Sequence, residues 1–259
     1  MIRIIFLLRK KKDLSREEYY RYWREEHGPL VASHARKLNM LRYVQVHTIQ
    51  DDSANAAMAE ARGGMEPAYD GVAEVWFENR EALVHATSTA AGRAAGAALV
   101  EDEAKFIDLE NSPIWLAHEH PQVNPTPENI VATPRSGYVK LYFPLRARRE
   151  MTEAEMQRYW YSNHGPLIRR QAAGSGIARY IQVHRIEDPI EADLRAARGT
   201  KVDSYTGHAE LWFERAVIST PTPERREANQ RAIEDEAKFI DFKRSSMWLA
   251  KEHVFVDHR

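Results

Sequence analysis

The sequence predicts an α+β protein in which two copies of one βαββαβ unit pack their sheets together around a barrel-like core. Three observations predict this fold: the chain repeats itself, each copy alternates strand and helix patterns in the same order, and a sheet with helices on one face must bury the other. A length of 259 residues with 43% hydrophobic residues suits two domains with cores of their own.

Internal duplication is the most informative of these features. Four blocks recur in the same order: 22–30 and 159–167, 42–47 and 179–184, 71–77 and 207–213, and 101–108 and 234–241. The last block recurs without any change. We therefore place the first copy at 1–120 and the second copy at 137–259. The stretch 121–136 between them contains four prolines, which suit a semi-rigid linker better than a helix or a central strand.

Each copy opens with a strand pattern followed by a helix pattern. Residues 2–8 and 138–145 have the composition of strands. A hydroxyl residue followed three positions later by glutamate, at Ser15 and at Thr152, forms a capping box that starts the helix. The Gly-Pro pair that follows in both copies, Gly28-Pro29 in the first, is predicted to break or redirect this helix.

Two middle strands, a second helix and a last strand complete each copy. In the first copy the middle strands are 42–47 and 71–77, the helix ends near Asp108, and the last strand begins at 114–117. This order is that of the ferredoxin-like fold. The connections between the middle strands, at 54–61 and 191–197, look helical and are predicted to form a lid over a pocket.

The open faces of the two sheets must cover each other. Two copies in one chain achieve this by packing sheet against sheet, as a homodimer does between chains. We therefore expect an intrachain pseudo-dimer, and we leave open whether two chains pair further into a homodimer.

Strand alternation sorts the side chains of the middle strands onto two faces. Val44 and Val46 share one side of the first middle strand, and we expect them to pack under the helices. The polar and aromatic set is expected to face the space between the sheets. This set consists of Tyr43, Gln45, His47, Glu74 and Trp76, with Tyr180, Gln182, His184, Glu210 and Trp212 in the second copy. It suits the wall of a small-molecule pocket, although a buried hydrogen-bond network that fixes the register of the copies would use the same residues.

One histidine in each copy is a candidate for proton transfer. His27 and His164 follow a tryptophan at helical spacing and directly precede the Gly-Pro pair. Each could serve as a general base or acid, or could donate a hydrogen bond to free carbonyls at the helix end. The adjacent acids Asp102-Glu103 and Asp235-Glu236 could orient an imidazole or lie on a solvated helix face.

Composition excludes several classes of protein. The chain has no cysteine, which excludes disulfides, thiolate nucleophiles and zinc–sulfur sites and favours a cytoplasmic location. Its 37 basic and 38 acidic residues argue against nucleic-acid binding. The apolar run 4–8 is too short to cross a membrane, and its charges follow rather than precede it, so we expect no signal peptide and no membrane association. The histidines and acids show no local metal-binding spacing, so no metal is expected.

Four motifs together resemble the EthD family over nearly all of both copies. They are Tyr-Trp-x-x-x-His-Gly-Pro-Leu, Tyr-x-Gln-x-His, Gly-x-Ala-Glu-x-Trp-Phe and Asp-Glu-x-x-Phe-Ile-Asp. The resemblance implies a dimeric α+β barrel and acid–base chemistry on a small, hydrophobic, oxygenated substrate without an organic cofactor. The family histidine corresponds to His27 and His164, and the in-strand glutamate to Glu74 and Glu210.

The two copies diverge where Val72 is replaced by His208, which shares a strand face with Glu210 and Trp212. This extra titratable group favours the second copy as the working one. The predicted catalytic residues are His164, His208, Glu210 and Tyr180, with His27 as the counterpart in the first copy. Gln182 and Arg198 are predicted to position the substrate.

Two functions fit these residues. The first is a cofactor-independent lyase or isomerase of catabolism, of dehydratase, cyclase or isomerase type, acting on an aromatic, lactone or polyketide-like compound. The second is a non-catalytic accessory protein that binds such a compound for a degradative oxygenase system. Haem binding is a third hypothesis, suggested only by relatives in the wider fold group.

Overall fold

The structure is a computed structural model that describes residues 1–125, 130–220 and 222–259. Within these residues, eight antiparallel strands close into a barrel in the order β1-β3-β2-β8-β5-β7-β6-β4. The strands are β1 (Ile2–Leu8), β2 (Arg42–Thr48), β3 (Gly71–Phe77), β4 (Ile114–Val123), β5 (Tyr138–Leu145), β6 (Ile177–Arg185), β7 (Gly207–Glu214) and β8 (Trp248–Asp257).

The helices lie outside the barrel. They are α1 (Arg16–Tyr22), α2 (Gly28–His34), α3 (Ser53–Glu60), α4 (Arg80–Ser88), α5 (Ala90–Glu103), α6 (Glu153–Tyr159), α7 (Gly165–Ser175), α8 (Pro189–Arg198), α9 (Arg215–Ile218) and α10 (Pro223–Glu236). Short 3-10 turns occupy Leu109–Asn111 and Phe242–Arg244. None of the helices in the described ranges is long and apolar enough to span a bilayer.

Each copy contributes four neighbouring strands to the barrel. The first copy supplies the order β4-β1-β3-β2 and the second supplies β8-β5-β7-β6. The barrel closes where β2 pairs with β8 and β4 pairs with β6. The result is a mixed α/β fold in which the edge strands of each copy are paired with the other copy, so that no edge is left open in the described sheet.

The Gly-Pro pair does not break the first helix, which corrects the sequence prediction. Helix α1, a π-helical turn at Trp23–His27 and helix α2 follow one another directly, and Pro29 lies in the first turn of α2. Proline is tolerated in a first turn, and the wide π turn before it absorbs the change in hydrogen bonding. His27 therefore lies inside a helical run and not at a helix end, so the capping role does not apply. The second copy repeats this arrangement at Trp160–His164 and α7.

The barrel interior is filled by large side chains from both copies, among them Val44, Val46, Trp76, Trp115, Trp212 and Trp248. The prediction for β2 is therefore inverted: Val44 and Val46 face the interior, and Tyr43 packs under the helices. The prediction for β3 is correct, since Glu74 lies directly opposite Val44 across the β2–β3 pair. Both faces of β2 are buried, so alternation alone could not identify the interior side.

The first residues of the predicted linker, 121–123, belong to a strand. Strand β4 extends to Val123, and Pro121 pairs with Ile181 at an irregularity in the β4–β6 register, where a residue without an N–H is tolerated. Residues 126–129 of the predicted linker lie outside the described residues. Ala132 is fully buried in the barrel core, and its N–H donates to the carboxylate of Glu252 at 2.7 Å. The linker thus packs against the barrel core as well as connecting the copies.

Candidate functional site

A cavity of about 410 Å³ lies on the outer face of the second copy's sheet, beneath α7 and α10. Helix α3 of the first copy covers it. Its walls are mostly apolar and include Met58, Phe143, Trp160, Ile168, Leu211 and Ile233. Its polar side chains are Arg62, His164, Gln171, Ser175, Tyr180, Arg225, Asn229 and Glu236. An apolar enclosure with a few polar groups is typical of small-molecule sites.

His164 is held against the cavity by a carboxylate. Its Nδ1 lies 2.9 Å from Oδ2 of Asp235, and the other oxygen of Asp235 accepts from the hydroxyl of Tyr159 at 2.8 Å and from Lys238 at 3.0 Å. Burial alone would raise the pKa of Asp235, but these hydrogen bonds, led by that from His164, bring it well below its ordinary value. Asp235 is therefore an anion that orients the imidazole.

The orientation of His164 leaves one ring nitrogen for chemistry. A carboxylate beside Nδ1 favours the tautomer with the proton on Nδ1, which leaves the lone pair of Nε2 free. Nε2 makes no hydrogen bond with the described residues, and the ring lines the cavity although His164 is only 5% exposed. The π turn before α7 places the ring there.

Tyr180 on β6 supplies a hydroxyl to the same cavity. Its oxygen accepts hydrogen bonds from Nε1 of Trp160 at 2.9 Å and from Nε2 of Gln182 at 3.1 Å. Because both contacts use lone pairs of the oxygen, the O–H proton remains available to a bound oxygen atom. Burial raises the pKa of Tyr180, so this group is a neutral donor.

Gln182 and His184 support Tyr180 and do not line the cavity. The amide nitrogen of Gln182 also donates to the carbonyl of Trp160 at 2.9 Å, and its oxygen lies 3.1 Å from Nε2 of His184. Gln45 makes the corresponding bond to Trp23 at 2.7 Å. His184 stacks on Trp160 with ring centroids 4.6 Å apart. Burial lowers the pKa of His184 to about 3, so the ring is neutral. Gln182 therefore positions the tyrosine hydroxyl, whereas the sequence predicted that it positions the substrate.

The lids are exchanged between the copies. Arg62, which follows α3 of the first copy, pairs with Glu236 of the second at 2.7 Å. Arg198, at the end of α8 of the second copy, pairs with Glu103 of the first at 2.8 Å. The predicted lids are therefore present, but Arg198 lies at the first copy and is not near His164. Arg62 occupies the corresponding place at the cavity.

The first copy holds the same polar groups. Nδ1 of His27 lies 2.8 Å from Asp102, and the hydroxyl of Tyr43 accepts from Nε1 of Trp23 at 3.3 Å and from Gln45 at 3.1 Å. His47 stacks on Trp23, as His184 does on Trp160. These predicted residues thus form a second, closely similar framework.

The two frameworks differ in the volume of their apolar neighbours. At the positions of Ala232, Ser175, Met58 and Ala54, the first copy's framework has Leu99, Leu38, Leu194 and Ile190. Leu99 is 7% exposed and belongs to a core cluster that also contains Leu38 and packs against Ile190 and Leu194. Larger side chains thus fill the space beside His27 that stays open beside His164.

His208 and Glu210 do not join His164, contrary to the sequence prediction. They lie inside the barrel, on the opposite face of the sheet, with Nε2 of His208 3.0 Å from Glu210. Glu210 pairs with Arg3 at 2.8 Å and with Lys140 at 3.2 Å. Glu74, Trp76 and Trp212 also face this interior and belong to the same buried network.

The two carboxyl groups of the buried network have pKa values shifted in opposite directions. Burial and the neighbouring Glu210 raise the pKa of Glu74, whereas Arg3 and Lys140 lower the pKa of Glu210 against the effect of burial. Burial also lowers the pKa of His208, to about 4. These groups link strands of both copies and so act as a structural network.

One cluster in the described residues has the donor chemistry of a metal site. Ligand atoms of Glu74, His208 and Glu210 lie within 4.8 Å of one another. The ammonium of Lys140 already lies 3.0 Å from Glu74 and 3.2 Å from Glu210. A cation could enter only by displacing Lys140, so the cluster fits an ion-pair network better than a metal centre.

Three residues have larger roles at the site than the sequence predicts: Asp235, which holds His164, and the pair formed by Arg62 and Glu236. The sequence predicts Asp235 and Glu236 only as an acidic pair of which one could orient an imidazole, and it assigns substrate positioning to Arg198 and not to its counterpart Arg62. The available signal was the block 101–108, which recurs unchanged at 234–241 and carries both acids. An unchanged helix end beside a repeated histidine indicates that the two interact.

Fold and site together define a class: an α/β protein with a closed antiparallel barrel and a covered apolar pocket outside the sheet. The family model of the EthD domain matches residues 11–110 and 148–243. The chain therefore belongs to the EthD family and contains the domain twice. No curated protein sequence matches the chain.

Three solved structures are similar to this fold. One, described as an "anthrone oxidase-like protein", has a TM-score of 0.52 at 8% identity and covers 100% of this chain and 94% of its own. A "putative monooxygenase" from Lactobacillus acidophilus NCFM gives 0.47 at 12% identity, covering 99% and 96%. Another from Fusobacterium nucleatum gives 0.48 at 8% identity, covering 98% and 93%. At these identities the likeness concerns the fold alone.

Proposed function

We propose that the protein is an acid–base enzyme that moves a proton on a small, hydrophobic, oxygenated substrate in the second copy's cavity. The observation that carries this proposal is the His164–Asp235 pair, with an Nδ1–Oδ2 distance of 2.9 Å, in the wall of a largely apolar cavity. The reaction is of dehydratase, cyclase or isomerase type and uses the protein's own side chains.

The first step is removal of a proton from carbon next to a carbonyl. Nε2 of His164 accepts the proton, and Asp235 stabilises the imidazolium that forms. The hydroxyl of Tyr180 donates to the carbonyl oxygen as negative charge develops there, in a site that excludes most water. Proton transfer by His164 is worth on the order of 10²–10⁴-fold in rate, and one donor to the developing oxyanion about 10²–10³-fold.

The second step returns the proton from His164. Delivery to a different carbon of the enolate gives an isomer. Delivery to a hydroxyl group on the neighbouring carbon releases water and leaves a carbon–carbon double bond. The same two groups therefore serve an isomerase and a dehydratase, and the substrate decides between them.

The strand order supports a finer interpretation of the fold. Each copy contributes four strands in the order 4-1-3-2 of its own chain sequence. We interpret the copies as two ferredoxin-like units whose sheets form the intrachain equivalent of a dimeric α+β barrel. In that interpretation the reacting groups lie between the sheet and the helices, and the barrel interior holds the copies together.

The test compares equivalent histidines. Native mass spectrometry of gently purified protein identifies bound compounds, which are then assayed for turnover together with aromatic ketones and lactones. His164→Ala should lower kcat by on the order of 10²–10⁴-fold, and the matched control His27→Ala should keep wild-type kcat. Asp235→Asn should lower kcat more than Km, because it disturbs the tautomer and leaves the cavity intact. Full activity of a folded His164→Ala variant would refute the proposal.

A binding function without turnover rests on a different observation, the predominantly apolar wall of the cavity. A carrier needs the enclosure but not the His164–Asp235 pair. It therefore predicts that His164→Ala retains a bound compound at wild-type affinity and that the purified wild type converts none of it.

A further inference from the structure

The cavity has a second polar end that proton transfer does not use. Ser175, Arg225 and Asn229 contribute side chains to its wall. The first copy has Leu38, Gly92 and Gly96 at these positions. The polar side chains at this end are thus confined to the copy that has the cavity.

The two polar ends are far apart. Helices α7 and α10 run antiparallel: one end of the pair is marked by the His164–Asp235 contact, and the other by Gly176, which lies beside Arg225. His164 and Ser175 stand at opposite ends of α7, about 16 Å apart at 1.5 Å per residue. The cavity therefore extends between a reacting end and a distant polar end, with mostly apolar walls between them.

Hydrogen-bond donors at the distant end lack partners. The hydroxyl of Ser175 is buried, with the residue 5% exposed, and has no hydrogen-bond partner among the described residues. Nε of Arg225 is likewise buried without a partner within the described ranges. Serine in a helix commonly bonds a carbonyl four residues earlier, and this one does not. Buried donors without acceptors are unfavourable, and an acceptor bound in the cavity would satisfy both.

The charge at this end favours an anionic group. Arg225 makes no ion pair with any described residue, and its Nη1 donates only to the backbone carbonyls of Val217 and Thr220. A guanidinium beside a free hydroxyl donor matches a carboxylate in both charge and geometry.

We propose that the substrate is an elongated apolar compound with a carboxylate at one end, bound by Ser175 and Arg225, and the reacting oxygenated carbon at the other, beside His164. The identity of the reacting end rests on the proposed function. The carboxylate end rests on the unpartnered donors of Ser175 and Arg225. A cavity of about 410 Å³ drawn out between these ends is narrow for its length, which suits a flat ring system or an unbranched chain.

The test uses two probes that differ only by the carboxylate. The fluorescence of 2-naphthol and of 6-hydroxy-2-naphthoate reports their binding to the full-length protein. The naphthoate should bind wild type roughly tenfold more tightly than the naphthol, as expected for one charge-assisted contact. Arg225→Gln should remove this preference and leave naphthol affinity unchanged. Arg226→Gln, at an exposed neighbouring position of α10, should change neither affinity.

A second variant guards against misfolding. Because Arg225 also donates to the carbonyls of Val217 in α9 and of Thr220 in the loop after it, Arg225→Gln could act through that segment. Ser175→Ala removes only a hydroxyl and should lower naphthoate affinity several-fold without affecting naphthol. Equal binding of the two probes to wild type, no binding of either, or equal effects of Arg225→Gln and Arg226→Gln would overturn the inference.

The carboxylate preference and the proton chemistry fail independently. His164→Ala should keep the naphthoate preference although it lowers kcat. A wild-type protein that shows the preference but catalyses no proton transfer would contradict the proposed function alone.

Discussion

Filling the cavity at Ala232 should block ligand binding without unfolding the protein. Ala232 lies on α10 in the wall of the cavity, between its two polar ends. Its counterpart on α5 is Leu99, which is buried with 7% exposure. Ala232→Leu therefore places in the second copy a side chain that the first copy already accommodates.

Ala232→Leu changes the free energy of unfolding through two opposing contributions. Burying three further carbon atoms contributes roughly 2 kcal/mol at about 0.8 kcal/mol per CH₂, and imperfect fit removes about 1–3 kcal/mol. The free energy of unfolding should therefore change by less than about 2 kcal/mol in either direction. Leu99→Ala, in a filled core, should lower it by about 3 kcal/mol, or Tm by roughly 6–12 °C.

The assay combines thermal denaturation with a fluorescence titration of 2-naphthol. Ala232→Leu should bind the probe at least tenfold more weakly, because its side chain occupies the space that the ring needs. Leu99→Ala should retain wild-type affinity at the second copy's cavity despite its lower Tm. Two results would contradict this prediction: wild-type affinity of Ala232→Leu for 2-naphthol, or a loss of stability in Ala232→Leu as large as that in Leu99→Ala.

Two further predictions concern stability. Burial lowers the pKa of His184 to about 3, whereas the unfolded chain titrates near 6.5. Below that pH the unfolded state binds the extra proton, so stability falls as pH decreases from about 6.5 towards 3, by about 2 kcal/mol for this residue at pH 5. His184→Gln should flatten the Tm–pH curve over this range, and an unchanged curve would contradict this assignment. Lys140→Met leaves Glu74 and Glu210 without an ammonium at 3.0 and 3.2 Å, so urea denaturation should show a loss of about 3–5 kcal/mol. An unchanged midpoint at constant m-value would show that Arg3 alone neutralises both carboxylates.

The fold was largely predictable because duplication doubles every local signal. Strands β1, β3 and β5 begin and end where composition places them, and the capping boxes at Ser15 and Thr152 are formed. The interior face of β2 was not predictable, because Tyr43 and Val44 are both buried. Alternation shows that they lie on opposite faces, but not which face packs against the helices and which against the other sheet. The interior also holds charged groups, and their compensation depends on contacts such as Arg3 with Glu210 across 207 residues.

Two of the residues that line the cavity could be predicted from the sequence, but the assembly of the cavity could not. His164 and Tyr180 were identified from repeated motifs, and both line the cavity. His208 and Glu210 lie on the face of β7 that points into the barrel, whereas Tyr180 lies on the outer face of β6, beneath the helices. The sequence does not show which face of a strand points inward. The exchange of lids, which brings Arg62 to Glu236, depends on how the two copies close the barrel.

Exchange of the lids also explains how the copies can differ in function while sharing their polar groups. In a dimer of identical chains, one change in a lid would alter both sites. Here α3 and α8 are separate segments, and the site beside His164 receives Ala54 and Met58 where the site beside His27 receives Ile190 and Leu194. The histidine–aspartate pair ties the first helical run to the second helix in both copies, so it also has a structural role beside His27, where larger side chains pack. Its presence alone therefore does not distinguish the two copies. The volume left beside it does, and that volume is set by side chains of both copies.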